Sequence, residues 1–154
     1  MKKILIVEDD QNIAMALGVR LKSAGYETLI SYDALTGLEA ALKHKPDLLL
    51  LDIGMPAGNG FTVAERVQAL VPTRTPFIFL TASKQPGLRN KAAELGAAGF
   101  FEKPFKAETL LPAIRKALGE PVAAARPETW EIDCDEETPK LLQQPSSADP
   151  RAAA

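Results

Sequence analysis

The pattern of this chain predicts an α/β fold, a parallel sheet with helices on both faces. Three observations carry that expectation. Short apolar runs alternate with segments of helical period five times along the chain. Two of the runs, Ile4-Leu5-Ile6-Val7 and Leu48-Leu49-Leu50-Leu51, show no polar alternation, as strands buried on both faces do not. Glycine, proline or an acid stands at most of the joints.

Lys3 to Val7 reads as the first strand and ends in acid. Asn12 to Ala24 reads as a helix with Ile13, Ala16, Leu17 and Leu21 at helical spacing, stopped by Gly25. Glu27 to Ser31 is a short second strand. Ala34 to Lys43 is a helix with Leu35, Leu38, Ala41 and Leu42 on one face. Asp47 to Asp52 is the third strand, and Gly54, Pro56, Gly58 and Gly60 mark the loop after it. Phe61 to Leu70 is the third helix, Pro76 to Thr81 the fourth strand, and Leu88 to Leu95 a helix ending at Gly96. Ala98 to Glu102 is the fifth strand. Ala107 to Leu118 is the last helix, closed by Gly119.

The 154 residues divide in composition near Gly119. Up to there, 15 Lys and Arg stand against 12 Asp and Glu; from Glu120 onward the counts are 3 and 8. That second stretch carries five of the prolines and an Ala-rich end, with no sustained period. The expectation is one domain over 1–119 and a Pro/Ala-rich acidic tail or linker over 120–154, with no output domain. Trp130 and Ile132 are the tail's candidate docking residues. Its acids are candidates to meet Lys84, Arg89 and Lys91. The longest apolar run is too short to span a bilayer, and the Met-Lys-Lys start followed by four apolar residues and acid leads to the expectation of no secretory signal. Cys134 is the only cysteine, so an intrachain disulfide and a cysteine metal cluster are excluded. A cytoplasmic location is the default, and the near-neutral total charge of −2 argues against bulk nucleic-acid affinity.

In a parallel open sheet, sites form beyond the carboxyl ends of the strands. Here those ends carry Glu8-Asp9-Asp10, Asp52, Thr81-Ala82-Ser83 and Lys103-Pro104. Carboxylates gathered at one edge repel unless they share a proton or a cation. Hard oxygen ligands in an open site suit Mg²⁺. A carboxylate can attack phosphorus, while Lys103 and Thr81 offer a positive charge and a hydroxyl for phosphoryl oxygens. Taken singly, each residue has a plainer reading. Asp9 or Asp10 could cap the first helix, Asp52 could be a loop acid, Thr81 could close a turn, and Lys103 could be a solvated lysine. His44 reads as a surface residue, and Met15 and Met55 as packing residues.

Ile4-Leu5-Ile6-Val7-Glu8-Asp9-Asp10, Leu50-Leu51-Asp52-Ile53-Gly54-Met55-Pro56, Leu80-Thr81-Ala82 and Glu102-Lys103-Pro104-Phe105 together resemble the receiver domain of two-component response regulators, of the CheY-like kind. The resemblance runs from about Lys2 to Gly119. It implies a flavodoxin-like (βα)5 doubly wound sheet of strand order 2-1-3-4-5 with a C-terminal extension. It implies Asp52 as phosphoacceptor, Glu8 and Asp9 as an acidic pair, and Thr81 and Lys103 as the phosphate clamp. Mg²⁺ would be held by Asp9, Asp52, the Gly54 backbone carbonyl and, through water, Glu8. The Lys103–Pro104 peptide would be cis. The donor would be a sensor histidine kinase or a phosphotransfer protein. The protein would be a switch rather than an enzyme on another substrate, accepting and hydrolysing the phosphoryl group on its own Asp52.

The resemblance further implies that Thr81 and the strand-five aromatic, here Phe100, turn on phosphorylation and alter a face of helix four, strand five and helix five. That face would meet a protein partner, with a homodimer among the candidates and no direct DNA or membrane contact. Phe100 lacks the phenol hydroxyl that some members carry. Gly54 and Ser83, two residues after Asp52 and Thr81, are both small and uncharged, which leaves the path of an attacking water to solvent access. Two other readings compete. One is a receiver module belonging to a longer signalling protein with an output or kinase domain. The other, from a different class, is an aspartyl-nucleophile phosphatase of the haloacid-dehalogenase kind, disfavoured because Gly54 stands where a second acid is needed. A flavin site is disfavoured by acids where a phosphate loop would be.

Overall fold

The computed structural model describes residues 1–55 and 58–120. Met1–Glu120 is one compact unit. The expectations for Trp130, Ile132 and Cys134 lie outside the described residues. The elements run β1 (Lys3–Val7), α1 (Gln11–Ser23), β2 (Glu27–Ser31), α2 (Ala34–His44), β3 (Leu48–Asp52), α3 (Gly60–Leu70), β4 (Phe77–Thr81), α4 (Leu88–Leu95), β5 (Gly99–Glu102) and α5 (Ala107–Ala117). Every pairing is parallel, and the order is β2-β1-β3-β4-β5. The expected doubly wound (βα)5 sheet is therefore the observed one, with element ends within about one residue of the sequence reading.

The uninterrupted apolar strands explain the layering. Leu5, Val7, Leu49, Leu51, Phe77 and Phe79 face α2, α3 and α4, whereas Ile4, Ile6, Leu48, Leu50, Ile78 and Leu80 face α1 and α5. β1, β3 and β4 thus fill both layers, each buried side chain removing about 1.5–3 kcal/mol of apolar surface from water.

The expected helix packing is corrected at several positions. Leu35 and Leu42 lie exposed, and α2 instead buries Ala34, Gly37 and Ala41. A Cβ on Gly37 would sit 2.8 Å from both Val7 methyls, so the helix approaches the sheet through its smallest residues. Leu35 precedes Gly37 by two residues, or about 200° around the helix, and so points away. Met15 is likewise 59% exposed, because α1 presents Ala14, Leu17, Gly18 and Leu21 to the sheet. Ala16, between Ala14 and Gly18, is exposed for the same reason. Met55 is buried, and His44 is exposed.

Candidate functional site at the carboxyl edge of the sheet

Residues following β1, β3, β4 and β5 meet at one edge. β1 delivers Glu8, which is fully buried. The chain turns there because Glu8 Oε2 accepts from Asp10 N at 3.1 Å, while Asp10 Oδ1 accepts from Asn12 N and Ile13 N and caps α1. Capping therefore falls to Asp10, and Asp9 is left exposed at the pocket mouth. Asp52, the last residue of β3, is 4% exposed. Its Oδ1 accepts from Gly54 N at 3.3 Å.

Carboxylate oxygens of Glu8, Asp9 and Asp52 all lie within 4.8 Å of one another. Lys103, following β5, supplies the compensating charge: its Nζ is 2.6 Å from Glu8 Oε1 and 3.6 Å from Asp52 Oδ1. The Lys103–Pro104 peptide is cis, and Lys103 N donates to Thr81 O at 2.7 Å. One lysine among three acids leaves the pocket short of positive charge. Burial pushes the Asp52 carboxyl up to about 7, with the Glu8 charge and the Asp9 hydrogen bond adding to the rise and Lys103 opposing it. Such a set takes a cation readily: oxygen donors only, one of them solvent-facing, and a charge deficit that a divalent ion would remove.

Thr81 is 1% exposed at the end of β4, and its Oγ1 accepts from Ser83 N at 3.0 Å. Beyond it, Ser83 Oγ accepts from Gln85 N at 3.2 Å. Phe100 lies opposite Phe79 in the β4–β5 register, half-buried, with the Arg89 guanidinium 4.7 Å from its ring centre. The fold thus gathers Glu8, Asp9, Asp52, Thr81 and Lys103 at one edge and sets Phe100 one strand layer away. Gly54 is exposed beside Asp52.

Two contributors escaped the sequence reading. A Cβ on Gly60 would lie 2.7 Å from the Asp52 carbonyl oxygen, so α3 begins in contact with the end of β3. Glu102, the residue before Lys103, pairs with Lys84 at 3.2 Å and Arg89 at 3.9 Å. Strand alternation was the available signal for Glu102, since neighbours on a strand point to opposite faces.

The model for the response regulator receiver domain matches residues 4–115. The transcriptional regulatory protein DltR of Streptococcus agalactiae is 40% identical over 113 residues, covering 73% of this chain and 50% of its own. The response regulator ArlR of Staphylococcus saprophyticus is 38% identical over 118 residues, covering 77% of this chain and 53% of its own. The chain spans about half the length of the curated relatives it matches. A crystal structure of a CheY-like receiver domain protein from Methanospirillum hungatei superposes with TM-score 0.73 at 29% identity, covering 77% of this chain and 94% of that one.

Proposed function

The chain belongs to the response regulator receiver domain family of two-component systems, a family of signalling switches, and we propose that Asp52 is its phosphoacceptor. In this reading an Asp52 carboxylate oxygen attacks the phosphorus of a phosphohistidine on a sensor kinase or phosphotransfer protein. The P–N bond breaks, the imidazole leaves with the electron pair, and an acyl phosphate remains on Asp52. Water later returns the carboxylate.

The observation that carries the reading is the buried Asp52 carboxyl beside Glu8, Asp9 and Lys103. Asp9 and Asp52, the Gly54 carbonyl and, through water, Glu8 are the groups to hold Mg²⁺. Once bound, that cation neutralises charge on the phosphoryl oxygens. Lys103 Nζ holds a phosphoryl oxygen, and Thr81 donates its hydroxyl to another. Thr81 and Phe100 are the switch residues. In the present arrangement Thr81 Oγ1 is engaged by Ser83 N and the Phe100 ring lies under Arg89.

The output is a protein contact through the face of α4, β5 and α5. Two features favour that face. α4 buries only Ala92, and Lys84, Arg89 and Glu102 stand exposed along it. The curated relatives, of which the match covers about half, include one named a transcriptional regulatory protein, which supports the alternative that this receiver serves a longer signalling protein. No helix among the described residues is long and apolar enough to cross a membrane. A cytoplasmic location belongs to the same proposal.

The test is exposure to acetyl phosphate with and without Mg²⁺, read as intact mass, beside Asp52→Asn. One Mg²⁺-dependent phosphoryl adduct, absent in the variant, is the expected result. An equal adduct on Asp52→Asn overturns the assignment.

A further inference from the structure

Glu102 joins three features at the rim of the pocket. It lies opposite Thr81 in the β4–β5 register, and it directly precedes Lys103. Its carboxylate is bracketed by two cations from the next segment, with Lys84 Nζ at 3.2 Å on Oε1 and an Arg89 guanidinium nitrogen at 3.9 Å on Oε2. The same Arg89 covers the Phe100 ring at 4.7 Å.

Beyond the partly buried Leu88 and Leu95, which pack against the core from the two ends of α4, the segment so tethered has a small apolar contact. Gly87, at φ 90, starts α4 with no side-chain cap, and the helix of eight residues buries one of them, Ala92. Its remaining attachments include Lys91 over the Phe61 ring at 4.9 Å and Gln68 donating to Leu95 O at 2.9 Å. In a helix with so small a buried face, polar tethers decide the resting position.

The tethers oppose capture of a phosphoryl group. Thr81 Oγ1 now accepts from the Ser83 amide at 3.0 Å. An anionic phosphoryl group on Asp52 would take the Thr81 hydroxyl as a donor and compete with Thr81 Oγ1 for the Ser83 N–H. Turning them toward it opens the Thr81–Ser83 turn. Lys84 directly follows Ser83, so its pair with Glu102 restrains that movement.

We propose that Glu102 is a positioning residue that restrains the Thr81–Gly87 segment and the Phe100 ring through Lys84 and Arg89, and so lowers the affinity of the pocket for a phosphoryl group. The inference rests on Asp52 as phosphoacceptor. Because coupling is reciprocal, weakening the bracket strengthens capture.

The experiment titrates the full chain with beryllofluoride, a phosphoryl mimic, at saturating Mg²⁺, reading bound fluoride by ¹⁹F NMR. Glu102→Gln is expected to lower the half-saturating concentration about two- to fivefold, the scale of exposed ion pairs. Arg89→Met shifts it in the same direction. Glu94→Gln, which removes another exposed α4 carboxylate, leaves it unchanged. Raising salt to about 0.5 M screens the bracket, so the gap between wild type and Glu102→Gln closes. A Glu102→Gln value equal to or above wild type, or a gap that persists in high salt, overturns the inference. Failure of the wild type to bind, or equal binding by Asp52→Asn, overturns the phosphoacceptor reading instead.

Discussion

Lys103 Nζ stands 2.6 Å from Glu8 Oε1 but 3.6 Å from Asp52 Oδ1, so the pocket's lysine is committed to the acid that does not end β3. Glu8 is fully buried, and it needs that partner more than Asp52 does.

Removing the lysine should therefore cost stability as well as chemistry. Lys103→Met leaves the Glu8 carboxylate buried with one backbone donor, Asp10 N. We expect a loss of about 2–4 kcal/mol in urea unfolding at neutral pH. We also expect acetyl phosphate labelling to slow about 10- to 100-fold. Unchanged stability would mean that Glu8 finds water.

The raised Asp52 carboxyl sets a pH dependence. Its ordinary value is 3.8 and its folded value about 7, so between the two the folded state holds a proton that the unfolded chain releases. This group's contribution is complete below pH 3.8 and is lost as pH rises through about 7. Metal-free wild type should lose stability over that interval by roughly 1–3 kcal/mol more than Asp52→Asn. Mg²⁺, binding the folded state, should return it above neutrality. Urea midpoints at several pH values, with and without the ion, measure both effects.

Gly60 is constrained by the end of β3. Gly60→Ala places a methyl 2.7 Å from the Asp52 carbonyl oxygen and 3.2 Å from Leu51 Cβ, both inside the core. A cost of about 1–3 kcal/mol and slower labelling at Asp52 are expected. Gly54→Ala, whose methyl meets nothing within 4 Å, should alter stability by less than about 0.5 kcal/mol.

At the opposite end of the sheet, the Tyr26 hydroxyl donates to Glu120 Oε1 at 2.7 Å and ties the turn after α1 to the residues after α5. Burial first, then Glu120, pushes the phenol up to about 12 from 10.0. Its contribution is full below pH 10.0 and is lost as pH rises through about 12. Tyr26→Phe should remove that alkaline loss, cost about 1–3 kcal/mol at neutral pH, and speed amide exchange at Leu118 to Glu120. Unaltered exchange there would show that the hydrogen bond does not hold the end of α5.

By itself the sequence determined the five βα repeats, the burial of β1 and β3 on both faces, and the gathering of Glu8, Asp52, Thr81 and Lys103 at one sheet edge. Apolar period and element order carry that information locally, and right-handed crossovers leave few ways to assemble it. Which helix stripe meets the sheet was decided only by tertiary structure. Leu35 fits a helical period as well as Gly37 does, but the close approach to Val7 admits only the glycine. The division of labour at the pocket has the same origin. Asp9 and Asp10 are equivalent as letters, and the α1 amides claim Asp10. Lys103 has two acids in reach, and burial awards it to Glu8. The bracket of Glu102 by Lys84 and Arg89 spans elements whose spacing in the chain says nothing of contact. Partner choice among charged groups depends on distance and desolvation, and both exist only once the chain has folded.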